Sequence, residues 1–328
     1  MGRKLRKRKN GRWFFLFFII VLLGVLLLPA LRHISALGEA EQSYNLAAVE
    51  QELNWFKKFG QWVDNIPAVK DGELWYALNS GQTEGMESQL EAYQSDKYRL
   101  WLFQLQLQSG DLDKSTTTMQ TMKGNSYRDL AQSMLLLAQG DGGQAGKVLT
   151  TNPSGLNKHE QALWMLCRAQ SFLQQGDWKS AAGAVEEGEK LEPLNPNLQL
   201  LKFRLAVVQG DFSAARQLLD RLDQYGQMKN NSEFLVQQGL LFLADKQEED
   251  YNSVIEKLKP LSSGNAYVAY LAGVKYLSEE EWTKGKESLN DALADGLKGA
   301  LAADAKLAVE QTEQRLQAEP LINKITNQ

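Results

Sequence analysis

Two stretches of this chain repeat one another. Phe172 to Pro193 reads FLQQGDWKSAAGAVEEGEKLEP, and from Ala206 the chain reads AVVQGDFSAARQLLD, with Gly176 and Gly210 34 residues apart. Related breaks recur in SGQ at Ser80, SGD at Ser109, QGD at Gln139, LADKQEED at Leu243 and SEEEW at Ser278, at steps of about 29 to 36 residues. Between the breaks, apolar residues follow helical spacing. Self-similarity at this period is a severe constraint. Each unit is one pair of helices that cannot bury its apolar face alone and must stack on the next. The expected fold class is all-α, a solenoid of helical hairpins.

The residues around Gly176 show what such a unit needs. Ala169 provides a small position on the first helix and Phe172 a large one. Gly176 takes the left-handed turn, Trp178 begins the second helix, Ala181 gives a close-packing position and Pro193 stops the unit. Small residues stand where helix backbones approach, and bulky ones fill the adjacent hole. Glycine ends a helix in the left-handed region at no steric cost, and proline cannot continue one. Gly210, Phe212, Ala215 and Leu219 repeat the pattern, with Phe203 in place of the small residue. Gly273, Tyr276, Trp282, Leu289 and Ala292 repeat it again, and Gly239, Leu243 and Tyr251 mark a unit with an extended turn.

On these residues the chain resembles the tetratricopeptide repeat family. The resemblance covers roughly residues 71–296 and is densest from Asn157 to Gly296. A related helical-hairpin repeat accounts equally well for the units near Ser80, Ser109 and Gln139. The resemblance implies a superhelix whose first helices line a concave surface for a protein or peptide partner. Carried onto matching positions, it implies a groove formed by Leu163, Leu166, Gln170, Gln174, Asn197, Leu200, Arg204, Val236 and Tyr270. The family's carboxylate clamp uses several Lys, Arg and Asn residues, and only Arg204 and Asn197 suit it. Recognition of an acidic carboxyl-terminal tail is therefore not expected.

The start of the chain has a different character. Arg3, Lys4, Arg6, Lys7, Arg8, Lys9 and Arg12 precede Trp13 to Leu31, a run of 19 uncharged residues. As a helix this run spans about 28 Å, enough for the hydrocarbon core. The basic cluster predicts a cytoplasmic amino terminus, with everything after the span on the other side. A cleaved signal peptide competes with this reading through the small residues of ISALGEA, although its apolar region is usually about 7–15 residues. From His33 onward, 28 Lys and Arg face 40 Asp and Glu, a formal balance of −12. So acidic a body argues against binding nucleic acid, or anionic lipid headgroups, through a broad basic face.

The expected organisation is a basic cytoplasmic segment 1–12, a transmembrane helix 13–31, a juxtamembrane amphipathic helix 32–66, repeats over 67–296, a capping helix 297–318 and a tail 319–328. The juxtamembrane helix rests on Leu46, Val49, Leu53, Phe56, Phe59 and Val63 at three- and four-residue steps. If the span ran on straight, Trp55 would stand about 36 Å beyond Leu31. A break at Gly38 would let it fold back. Packing of this helix against the first repeat is expected, with a membrane-surface role for Trp55 and Trp62 as the other reading.

Catalytic chemistry finds no foothold. GDGGQAGKV at Gly140 lacks the spacing, the hydroxyl and the preceding strand of a phosphate-binding loop. His33 and His159 have no ligand-spaced companions, so no metal site is expected. Cys167 lies in a helical apolar pattern and reads as core. No triad signature is present, and acidic runs such as EEGE at Glu186 lack a glycine-punctuated loop. The chain is expected not to be an enzyme and to need no cofactor. The expected function is a single-pass, membrane-anchored scaffold presenting its repeats outside the cytoplasm to an envelope protein, in secretion, complex assembly or envelope biogenesis. The other reading is an anchored or secreted solute- or glycan-binding module, with Trp75, Trp101 and Trp164 as a stacking platform.

Overall fold

The computed structural model describes residues 28–60, 66–150, 153–225, 228–229, 231–261, 264–297 and 299–326. The basic segment and residues 13–27 of the apolar span lie outside these. Among the described residues there is no strand, and no helix is long and apolar enough to cross a membrane. The helices divide into two units, one up to Gln82 and one from Thr83 onward.

The first unit has three helices. α1 runs through 28–42, α2 is Leu46–Lys57 and α3 is Pro67–Ser80. The reversal between α1 and α2 is not at Gly38, which lies inside α1. It comes at Ser43–Asn45, where Tyr44 takes the left-handed region (φ 52°) and Asn45 caps α2 by accepting a hydrogen bond from the Ala48 amide. A buried tyrosine can hold that conformation because its ring is gripped, 5.3 Å from the Trp75 ring. Val49, Leu53 and Phe56 form the packed face of α2, whereas Phe59 is exposed. Where α3 crosses α1, a Cβ on Gly72 would come within 2.8 Å of Leu37.

The second unit opens with a short helix, α4 (Met86–Glu91), and continues in six hairpins: α5 (Asp96–Gln108) with α6 (Leu112–Gln120), α7 (Asn125–Ala138) with α8 (Gly142–Val148), α9 (Lys158–Gln174) with α10 (Trp178–Leu191), α11 (Pro196–Gln209) with α12 (Phe212–Leu222), α13 (Ser232–Ala244) with α14 (Glu248–Leu258) and α15 (Gly264–Ser278) with α16 (Trp282–Ala294). First helices also contact first helices, α5 to α7 and onward to α15, so they form one row. The early units depart from the usual length because α6 and α8 are short. In α6, Thr116 and Thr117 turn their hydroxyls back onto the carbonyls of Leu112 and Asp113, a bonding mode that weakens a helix.

The repeated break proves to be two devices in tandem. Gly110, Gly140, Gly176 and Gly210 all have φ between 73° and 81°. The aspartate after each one caps the second helix, accepting from the amide of Lys114, Gln144, Ser180 or Ala214. Two later hairpins lack both devices. Lys246 (φ 57°) and Glu280 (φ 62°) stand in the left-handed position, followed by Gln247 and Glu281, which make no side-chain cap. A side chain in the left-handed region costs about 1–2 kcal/mol, and a missing cap costs about 1 kcal/mol.

Replacing Lys246–Gln247 or Glu280–Glu281 by Gly–Asp is therefore expected to stabilise the chain by about 1–2 kcal/mol after the entropy of glycine is subtracted. Asp177→Ala is expected to destabilise it by about 1 kcal/mol. Urea denaturation followed by circular dichroism reads both. No gain from either Gly–Asp replacement would show that these turns are strained for another reason.

Candidate functional site

The row of first helices encloses a groove of about 430 Å³ within the second unit. Its wall is built from successive helices: Gln104 and Gln108 of α5, Leu137 of α7, Leu163, Leu166, Gln170 and Gln174 of α9, and Asn197 and Leu200 of α11, with Glu233 of α13. Helical spacing puts 163, 166, 170 and 174 on one side of α9. Leu166 and Leu200 are mostly buried and form floor, while Gln170 and Gln174 are half-buried and Asn197 is exposed. Gln174 donates from Nε2 to the Leu137 carbonyl at 3.1 Å. Its Oε1 has no hydrogen-bond partner and is buried beside Gly142 rather than open to the groove. Among the described residues, no lysine or arginine lines this groove.

Six of the nine residues expected from the sequence thus line one surface: Leu163, Leu166, Gln170, Gln174, Asn197 and Leu200. Arg204, Val236 and Tyr270 do not. Val236 is fully buried in the core between α13, α14 and α15. Tyr270 is buried, and its hydroxyl pKa is driven up by that burial, reinforced by Asp304. Arg204 is 2% exposed. Its guanidinium pairs with Asp304, one hundred residues on, and lies 4.0 Å from Glu233. A register-based assignment places these residues in the groove because it omits the packing of α13 to α15 around Val236 and a helix that reaches Arg204 and Tyr270 through Asp304.

That helix is α17 (Gly299–Thr326), which runs past residue 318, where the cap was expected to end. It packs on α16, as a cap should, and also against α7 and α9 on the groove side. Leu301, Ala302 and Ala305 are buried in the core of the last hairpins, and Gly299 forms one wall of the groove. Farther along, the Arg315 guanidinium sits 3.9 Å over the Trp282 ring, and Glu313 pairs with Lys286. One arginine faces two carboxylates here. Burial raises the pKa of both Glu233 and Asp304, and Arg204 opposes the rise in each.

Other candidates resolve as core. Trp75, Trp101 and Trp164 are buried and offer no stacking platform. Cys167 is buried, and burial pushes its thiol up to about 12, so it is a poor nucleophile at neutral pH. Among the described residues no group of three His, Cys, Asp or Glu could hold a metal ion. Gln104, Gln108 and Glu233 escape the sequence reading. The first two lie in an early unit of irregular length, where the groove register is hard to carry over.

With this geometry in view, residues 172–231 match the tetratricopeptide repeat family. A chain in the crystal structure of the APC/C hetero-tetramer Cut9–Hcn1 has a similar fold, with a TM-score of 0.56 and 15% identity over 83% of this chain and 53% of that one. The present chain thus spans about half the length of that neighbour, and the likeness is one of fold alone. A tetratricopeptide repeat protein from Parabacteroides merdae ATCC 43184 aligns with a TM-score of 0.44 and 14% identity, over 86% of this chain and 98% of that one. No curated protein matches the chain. The protein is an all-helical repeat solenoid like those of tetratricopeptide repeat proteins, a fold that generally binds other proteins.

Arg204 is expected to behave as a structural residue. Arg204→Met leaves two carboxylates facing each other and should cost about 3–5 kcal/mol, whereas Gln170→Ala should stay within about 0.5 kcal/mol. Because the folded pKa values of Glu233 and Asp304 are raised, the folded chain keeps protons that the unfolded chain gives up. Stability should therefore fall as pH rises from the ordinary carboxylate range through their folded values. Glu233→Gln should flatten that slope. Urea midpoints measured across the acid range read all three expectations.

Proposed function

We propose that this chain is a non-catalytic scaffold, tethered by residues 13–31, whose groove holds a segment of a protein partner on the extracytoplasmic side of a bacterial-type membrane. The observation that carries this reading is the composition of the groove: six helices, α5, α7, α9, α11, α13 and α17, contribute to one surface with an aliphatic floor and uncharged amide side chains. Such a wall suits a peptide backbone. Glutamine and asparagine both donate and accept, and can pair with peptide N–H and C=O groups without demanding charge. With Glu233 as the charged group at one end, the groove favours a neutral or basic segment over an acidic one.

The tether is supported by the 19-residue uncharged run and the basic cluster before it. Confinement to a plane raises the effective concentration of groove and membrane-bound partner for each other. Secretion, complex assembly and envelope biogenesis all suit a protein of this design.

A photo-crosslinking residue placed at 170 or at 197 in the full chain is expected to give one discrete protein adduct, identified by mass spectrometry. The same residue at Lys179, exposed on α10, should not give it. An identical adduct from all three positions, or adducts from 179 alone, would move the partner off the groove. Membrane fractions resistant to carbonate extraction should hold the chain, and a residue 1–31 deletion should release it.

A further inference from the structure

The first unit contains a feature that the groove does not use. α2 folds back along α1, so Trp55 stacks on His33 with ring centroids 3.8 Å apart, and His33 Nδ1 lies 2.5 Å from Glu52 Oε2. Trp55 is thereby brought level with a residue only two positions after Leu31, not about 36 Å beyond it as a straight helix would place it. Phe59 follows, its ring 4.7 Å from Trp55. At this end of the hairpin, Leu28 (68%), Leu31 (60%) and Phe59 (50%) are exposed large hydrophobic side chains. Within the described part of the first unit there are no others, and those of the second unit are scattered.

Charge is sorted along the same hairpin. Arg32, Lys57 and Lys58 are exposed at the end that carries these hydrophobics, while Glu39 and Glu50 are exposed toward the reversal at Tyr44. An edge of this kind, with leucine and aromatic rings flanked by cations, is the chemistry that sits at a bilayer interface. Tryptophan and phenylalanine settle at headgroup level, and Lys and Arg meet lipid phosphates.

We infer that the open end of the α1–α2 hairpin docks on the bilayer surface, inserting Leu28, Leu31 and Phe59 beside Trp55 at headgroup level with Arg32, Lys57 and Lys58 on anionic phosphates. The occupant is identified by continuity: α1 begins with residues 28–31, the last four of the uncharged run, so a membrane crossed by that run meets this edge first. The inference thus rests on the tether proposed above. What it adds is a second, interfacial contact that fixes how the first unit stands on the membrane, whereas a lone span would let it swivel.

The test uses the full chain in phosphatidylcholine–phosphatidylglycerol vesicles, with a fluorophore on Lys58→Cys, Gln42→Cys or Ile20→Cys; Cys167 is buried and escapes labelling. Lipids spin-labelled near the headgroup are expected to quench the probe at 58 at least threefold more than the probe at 42, and lipids labelled deep in the acyl chain to quench the probe at 20. Quenching at 20 with equal, weak quenching at 58 and 42 would overturn the docking and leave the tether standing. Quenching at 58 without quenching at 20 would sustain the docking and remove the tether. Quenching at neither would overturn both. Adding Phe59→Asp to the chain labelled at 58 should lower its quenching at least twofold with an unchanged circular dichroism spectrum, and no change would overturn the role of the aromatic edge.

Discussion

The structure of the second unit depends on how a helix can be reversed within three residues. A first helix must end in the left-handed region, and the next must begin with its free amides satisfied. Gly176 and Asp177 do both in adjacent positions. Once the reversal is that tight, the two helices lie close enough that only small residues fit between them. Ala169 and Ala181 are fully buried in one hairpin, and in the last one a Cβ on Gly273 or Gly285 would come 3.2 Å from the other's carbonyl oxygen. Close hairpins then leave one apolar face each, and stacking those faces aligns the first helices into a row. The groove is a consequence of the turn.

Much of this was legible in the sequence because the repeat advertises its geometry. Glycine spacing, small residues at fixed offsets and aromatic plugs such as Trp178 all report local demands, and local demands repeat. The capping role of the aspartate after Gly110, Gly140, Gly176 and Gly210 comes from the structure, where each accepts from an amide of the second helix. The reversal at Tyr44 was not legible: a non-glycine residue holds the left-handed conformation there because of a ring contact with Trp75, thirty-one residues away. Gly38 looked like the break because glycine is permissive, yet permissive residues sit comfortably inside helices when neighbours pack well.

The groove divides along the same line. Leu163, Leu166, Gln170, Gln174, Asn197 and Leu200 follow from helical register, since each first helix presents the same side. Arg204, Val236 and Tyr270 occupy comparable register but are claimed by contacts with no local signature. Arg204 meets Asp304 one hundred residues later, a distance over which periodicity carries nothing. Its presence on the first-helix row also changes the meaning of the groove. An arginine free to face a ligand would suit an acidic tail, whereas one held by two carboxylates leaves the wall neutral with a single negative end.

The placement of α17 shows why a buried ion pair stands there at all. Leucines and alanines hold this helix to the last hairpins, and an apolar contact at position 304 would bury as well without the desolvation that raises both carboxylates. What the pair adds is register. Apolar surfaces tolerate a helix sliding by a turn, but only one rotation and one height of α17 bring Asp304 to Arg204 while setting Arg315 on Trp282 and Glu313 against Lys286. Three polar contacts spaced along α17 therefore fix where Gly299 stands. Since Gly299 is part of the groove wall, those contacts also fix that end of the groove.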